Sequence, residues 1–156
     1  MLLRVIAVGQ RMPQWVDEGV DEFSRRMPPE LRIEWRTVKA EARHTGGTAQ
    51  QWKDREAQRI LEALPAQARL VLLDERGKDL DSQGLAGQLA RWQEESRAVA
   101  IVIGGPDGVD DRIRSRADTC VRLSSLTLPH ALVRVVLAEQ LYRAWSILAG
   151  HPYHRE

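Results

Sequence analysis

The chain ends "HPYHRE", His151 to Glu156, with Pro152 directly after a long apolar helical pattern. Two histidines, Tyr153, Arg155 and Glu156 in six residues could form a metal clip, or could serve a site as base, stacking surface and charge. His151 and His154 have a spacing that metal ligands use, but Pro152 forbids a regular helix there. No cysteine or carboxylate cluster completes a ligand set, so no metal is expected. Three other short stretches stand where chemistry could occur: "LLDERGK" (72–78), "IGGPDG" (103–108) and "LSSLTLPH" (123–130). Gly104 and Gly105 allow close approach of backbone to a ligand, though glycines beside Pro106 and an Asp-Gly pair also make an ordinary tight turn. They spell neither the dinucleotide fingerprint nor a phosphate loop. Ser124, Ser125 and Thr127 add hydroxyls between Leu123, Leu126 and Leu128, with no pattern of a catalytic triad or nucleophile elbow around them. Backbone amides and apolar walls of this kind suit an adenine and ribose better than a triphosphate. Further along, Glu139 and Arg143 are four residues apart and have the spacing of an ion pair along a helix. His44 lies in a polar, glycine-paired stretch, "KAEARHTGGTAQQ", and reads as a solvated loop residue or as part of a loop closing on a polyanion. Cys120 reads as a small buried residue rather than a thiol nucleophile.

The elements that must position these residues follow from hydrophobic periodicity. "LLRVIAV", "RLVLLD" and "AVAIVI" are continuous apolar runs, typical of strands covered on both faces. "LRIEWRTV" alternates strictly and reads as a strand with one wet face, which suits an edge; "CVRLSS" (120–125) makes a fifth strand. Between them, apolar residues recur at helical spacing: Trp15 to Met27, Trp52 to Leu64 behind a Thr48 cap, and Leu85, Leu89 and Trp92 behind Ser82. A short polar helix occupies "VDDRIRSRAD", and a last helix runs from about His130 to Ala149. Alternating strands and helices predict an α/β fold with an open, mostly parallel sheet and helices on both faces, where ligands bind at the carboxyl ends of strands. The last helix is apolar around nearly its whole circumference, more than one sheet face needs, and a second copy of the chain is the economical partner.

With 156 residues, 43% of them hydrophobic, the chain suits a single domain over 1–156. Its 23 basic and 22 acidic side chains give a formal charge of +1, so no nucleic-acid or membrane partner follows from total charge, and any basic surface must be local. One cysteine excludes an internal disulfide and suits a reducing compartment. With no signal peptide and no membrane span in the pattern, the expected location is cytoplasmic.

"IAVGQRMPQWV" at the start, "LLDERGK", "IGGPDG" and the unbroken run "LSSLTLPHALVRVVLAEQLYRAWSILAGHPYHRE" together resemble the bacterial ribosomal RNA large-subunit methyltransferase H family over the full length. Asp107 and Ala131 stand where members of that family vary. The resemblance implies a SPOUT-class (α/β-knot) enzyme that uses S-adenosyl-L-methionine to methylate N3 of a pseudouridine in 23S rRNA. It implies a C-terminal trefoil knot, a rare exception to unknotted topology. It also implies a homodimer packed through that knot and, as substrate, the large-subunit rRNA of the assembled ribosome. Leu73, Gly104, Gly105 and the run Leu123, Ser124, Ser125, Leu126, Thr127 and Leu128 would form the cofactor pocket. The imide nitrogen must lose a proton before transfer, so a base or a cation is needed. Arg143, His154, Arg134, His130 and Arg155 are the candidates by chemistry and position, with an arginine of the last helix favoured for charge and His154 for the base. Tyr153 would offer a stacking surface.

Overall fold

The structure, a computed structural model, describes residues 1–42 and 46–155. Five strands, β1 (Leu3–Val8), β2 (Ile33–Val38), β3 (Arg69–Asp79), β4 (Val99–Ile103) and β5 (Thr119–Arg122), form one sheet in the order β2-β1-β4-β3-β5. Every pairing is parallel, so all five strands end at the same edge. The helices are α1 (Gln14–Ser24), α2 (Ala49–Ala63), α3 (Ser82–Glu95), α4 (Asp111–Arg116) and α5 (His130–Ala149). His44, within 43–45, lies outside the described residues.

The continuous apolar runs of β1, β3 and β4 feed two cores, because alternate side chains leave opposite faces of the sheet. Leu3, Val5, Ala7, Val99, Ile101 and Ile103 meet Leu85, Leu89 and Trp92 of α3 and Leu137 and Leu141 of α5. Ile6, Val8, Leu70, Leu72, Ala100 and Val102 meet Ala57 and Ile60 of α2 and Ile113 of α4. Helices therefore cover both faces, with α1, α3 and α5 on one and α2 and α4 on the other. β2 is indeed an edge strand. Thr48 caps α2 through a reciprocal box with Gln51. Asp81 rather than Ser82 caps α3, its carboxylate accepting from the Gly84 amide at 2.7 Å, while the Ser82 hydroxyl turns to Gln140 of α5 at 2.6 Å.

Two differences from the sequence expectation bear on the site. β3 extends five residues beyond "RLVLLD": Leu73 and Lys78 both lie opposite Val121, so Asp74–Gly77 is a bulge, and a Cβ at Gly77 would come within 2.5–2.7 Å of the Val121 backbone. Ser124 and Ser125 fall outside β5, in the loop that returns the chain from the edge strand to α5. There α5 packs between α1 and α3, with Val135 seated 3.1 Å from where a Gly19 Cβ would be. Its apolar girth thus meets the sheet and two helices of its own chain, which accounts for much of what the sequence reading assigned to a second copy. Among the described residues no helix is long and apolar enough to cross a membrane.

Candidate active site

A cavity of about 490 Å³ opens at the carboxyl ends of β3, β4 and β5. Leu73, Gly104, Gly105, Leu123, Ser124, Leu126, Thr127, Leu128 and His130 all line it; Ser125 does not. After β4 the chain makes a tight turn, the Gly108 amide donating to the Gly105 carbonyl at 3.0 Å with Gly108 at φ +81°. "IGGPDG" therefore holds the tight turn its sequence allowed, and that turn lines the cavity. A Cβ at Gly104 would lie 2.6 Å from Val109 Cγ1, and one at Gly105 2.9 Å from the Glu56 carboxylate and 3.2 Å from Val8, so a side chain at either would displace a neighbour. The opposite wall is the loop after β5, where the Leu126 amide donates to Ser124 Oγ at 2.9 Å and Leu126 stands 74% exposed on the rim.

The charged wall of the cavity went unrecognised in the sequence. Arg114 Nη2 donates to Asp74 Oδ2 at 2.7 Å and the Arg76 amide to Asp74 Oδ1 at 2.9 Å. Burial works against the charge on Asp74, but the Arg114 hydrogen bond and then the Arg76 amide outweigh it and hold the carboxyl below its usual range. Glu75, Asp107 and Arg122, the last paired with Asp79, complete this side. "LLDERGK" carried the signal for Asp74, whereas nothing in the sequence linked it to an arginine forty positions later. Cys120 is partly buried against the α2/α4 core, and burial, then the Asp74 charge, pushes its thiol up.

His130 and Arg134 sit at the base of α5. His130 Nδ1 lies 2.9 Å from the Gly104 carbonyl, Arg134 Nε donates to His130 Nε2 at 3.0 Å, and Arg134 Nη2 donates to the carbonyls of Gly9 at 2.7 Å and Val8 at 3.2 Å. Burial, then the Arg134 charge, holds the imidazole below its ordinary pKa.

The remaining candidates gather elsewhere. Arg143 pairs with Glu139 through Nε at 2.8 Å, as the i,i+4 spacing allowed, and its guanidinium lies 5.1 Å from the centre of the Tyr153 ring. The Tyr153 hydroxyl donates to Glu139 at 3.2 Å; burial, then the Glu139 carboxylate, raises its pKa and keeps the phenol protonated. His154 Nδ1 is 3.1 Å from Ser146 Oγ, and His151 packs on Trp145 and accepts from the Tyr153 amide at 3.1 Å. The ending is thus a packed 3-10 turn, Pro152–His154, with Arg155 following at φ +58°. Thirteen residues separate Arg143 from His130, about 20 Å of helix. Among the described residues no group of three or more His, Cys, Asp or Glu side chains could hold a metal ion.

An open parallel sheet with helices on both faces and a cavity across its strand ends defines an α/β protein, and two solved structures carry the same fold. A probable methylase family protein from Haemophilus influenzae superposes with TM-score 0.57 at 10% identity, covering 97% of this chain and 69% of that one. TrmJ from Z. mobilis does so with TM-score 0.58 at 15% identity, covering 92% and 70%. Residues 1–154 match the family model described as "Predicted SPOUT methyltransferase", and the chain belongs to that family. Among its relatives, the proteins called "Ribosomal RNA large subunit methyltransferase H" in Burkholderia thailandensis and Paraburkholderia phymatum are 57% and 56% identical over 155 residues, 99% of both chains in each case.

Proposed function

We propose that this chain, a single SPOUT domain, is an S-adenosyl-L-methionine-dependent methyltransferase acting on N3 of a pseudouridine in the 23S rRNA of the assembled ribosome. The observation that carries the reading is the strand-end cavity, formed by the loops the family resemblance selected, in a chain 55–57% identical to proteins named for large-subunit rRNA methylation. The cavity fits the cofactor. Its volume lies within the range of small-molecule sites, Leu73, Ile103 and Leu128 supply apolar walls, and the two loops supply backbone polar groups. The lining carries both signs, Asp74, Glu75 and Asp107 beside Arg76, Arg114 and Arg122, as suits a ligand with both cationic and anionic groups. When bound, S-adenosyl-L-methionine supplies an electrophilic methyl group on a sulfonium centre.

What this chain must add is orientation of the nucleobase and removal of the imide proton. Ser146 Oγ lies 2.8 Å from the Arg143 carbonyl and 3.1 Å from His154 Nδ1; with the hydroxyl donating to the carbonyl it accepts from His154 Nδ1–H, and Nε2 then serves as the general base. Arg143 stabilises the imide anion, Tyr153 stacks on the base and Arg155 meets the RNA backbone. These groups lie about a helix length from the cavity of their own chain, so they serve the cavity of a second copy: the enzyme is a homodimer with sites shared between protomers. A trefoil knot is consistent with the close crossing of Gly77 over Val121 and with the return of the chain from edge strand β5 to a helix lodged between α1 and α3. A near-neutral chain that reads a folded ribosomal surface fits a cytoplasmic enzyme with few phosphate contacts and moderate salt dependence.

Isothermal titration and methyl transfer to ribosomes test this on the wild type and Arg143→Ala. The wild type takes up one S-adenosyl-L-methionine per chain. The variant binds it with unchanged affinity and methylates about 10²–10³-fold more slowly, as when a charge-stabilising donor is removed from a transition state. Full-rate methylation by Arg143→Ala removes that residue from the mechanism.

A further inference from the structure

Arg134 is 4% exposed, and removing a guanidinium from water is costly. A leucine in this position would fill the space without that cost, so the value of the arginine lies in where its donors point. They point at three acceptors on two elements: the Val8 and Gly9 carbonyls at the end of β1, and His130 Nε2 one helical turn away on α5. Gly9 makes the approach possible. Its φ of +116° disfavours other residues, and a Cβ there would stand 3.3 Å from Arg134 Nη2.

The direction of the hydrogen bonds is fixed by chemistry. A guanidinium has no acceptor, so Arg134 Nε donates to His130 Nε2, which therefore carries the lone pair. The imidazole proton then resides on Nδ1 and is donated to the Gly104 carbonyl at 2.9 Å. Arg134 thus donates in both directions, to the carbonyls at the β1 terminus and, through His130, towards Gly104 at the head of the turn that lines the cavity.

We infer that Arg134 and His130 are positioning residues, a two-step hydrogen-bond relay that locks the Gly104–Gly108 turn to the end of β1 in its cofactor-binding shape, and that neither is the base or the charge stabiliser of the reaction. The inference rests on the reading that the cavity holds S-adenosyl-L-methionine. His130 cannot accept the imide proton on Nε2 without losing Arg134, and its other nitrogen is committed to Gly104.

Two measurements test it. The first, long-range proton–nitrogen NMR of the ligand-free wild type near neutral pH, needs no cofactor: His130 shows a protonated Nδ1 and a bare Nε2. An Nε2–H tautomer or an imidazolium overturns the relay. The second compares His130→Leu with His130→Gln, each checked for wild-type-like folding by circular dichroism. Leucine keeps volume but loses both hydrogen bonds, whereas the glutamine amide can accept from Arg134 and donate to Gly104. The expected result is a Kd for S-adenosyl-L-methionine raised about tenfold in the leucine variant, the loss of a buried hydrogen bond, and within about twofold of wild type in the glutamine variant. Turnover at saturating cofactor stays within a few-fold of wild type in both. Unchanged Kd with collapsed turnover in His130→Leu, or a glutamine variant as impaired as the leucine one, overturns the inference. A wild type that binds no S-adenosyl-L-methionine overturns instead the functional reading beneath it, and is told apart by the unchanged NMR signature.

Discussion

At the scale of single residues, two histidines of one helix and its extension have opposite fates because of what each faces. His154 meets only the Ser146 hydroxyl through Nδ1, whereas both nitrogens of His130 are held, between a guanidinium and a carbonyl. Burial and Arg134 lower the pKa of His130 from its ordinary 6.5, and this makes folding pH-dependent in a definite sense. In the unfolded chain the ring takes up a proton near the ordinary value, and in the folded chain only at lower pH. Across that window the unfolded state binds more protons, so stability rises with pH and falls on acidification. Between about pH 5 and about pH 7.5 the melting temperature of the wild type should therefore climb more steeply than that of His130→Gln, which has no titrating ring. Parallel slopes in differential scanning calorimetry would contradict the buried neutral imidazole.

At the scale of elements, the bulge in β3 is the tightest point of the site. Asp74–Gly77 swings Asp74 to Arg114 and the cavity, and Gly77 passes the Val121 backbone at a distance no Cβ permits. Gly77→Ala should cost about 2–3 kcal/mol by overpacking, a fall of about 5–10 °C in melting temperature for a chain of this size. Gly87→Ala, on the open face of α3 with nothing within 4 Å, should instead gain about 0.5–1 kcal/mol from helix propensity. Thermal melts of the two variants check both signs at once. Much of this architecture was legible in the sequence. β1 and β4 announce themselves as uninterrupted apolar runs, β2 by its alternation, α2 by its cap, and the cavity loops by glycines and hydroxyls directly after strands. The bulge was not legible, because "DERGK" has the composition of a turn and its pairing with β5 depends on residues more than forty positions away. The relay from Arg134 to Gly9 was hidden for the same reason, a contact across 125 positions that leaves no local pattern. The apolar girth of α5 exceeds what one sheet face needs, and α1 and α3 of the same chain cover part of it, while Leu148 stays exposed.

At the scale of the whole molecule, the cavity and the Arg143–Tyr153–His154 cluster stand at opposite ends of α5, and the proposed mechanism uses both. If two protomers share them, a protein with a blocked cavity, Thr127→Trp, and one without the cation, Arg143→Ala, should complement each other when co-expressed. Mixed dimers hold one intact site of two and form half of a random population, so activity should return to about a quarter of wild type. No recovery would mean that each chain completes its own site. The claim on which everything else depends is methyl transfer itself. Purified protein, tritiated S-adenosyl-L-methionine and ribosomes from a strain lacking this protein test it most directly, with the labelled nucleotide mapped afterwards. Label is expected in one pseudouridine of the 23S rRNA, on N3. Label in another RNA, or none despite bound cofactor, would contradict it.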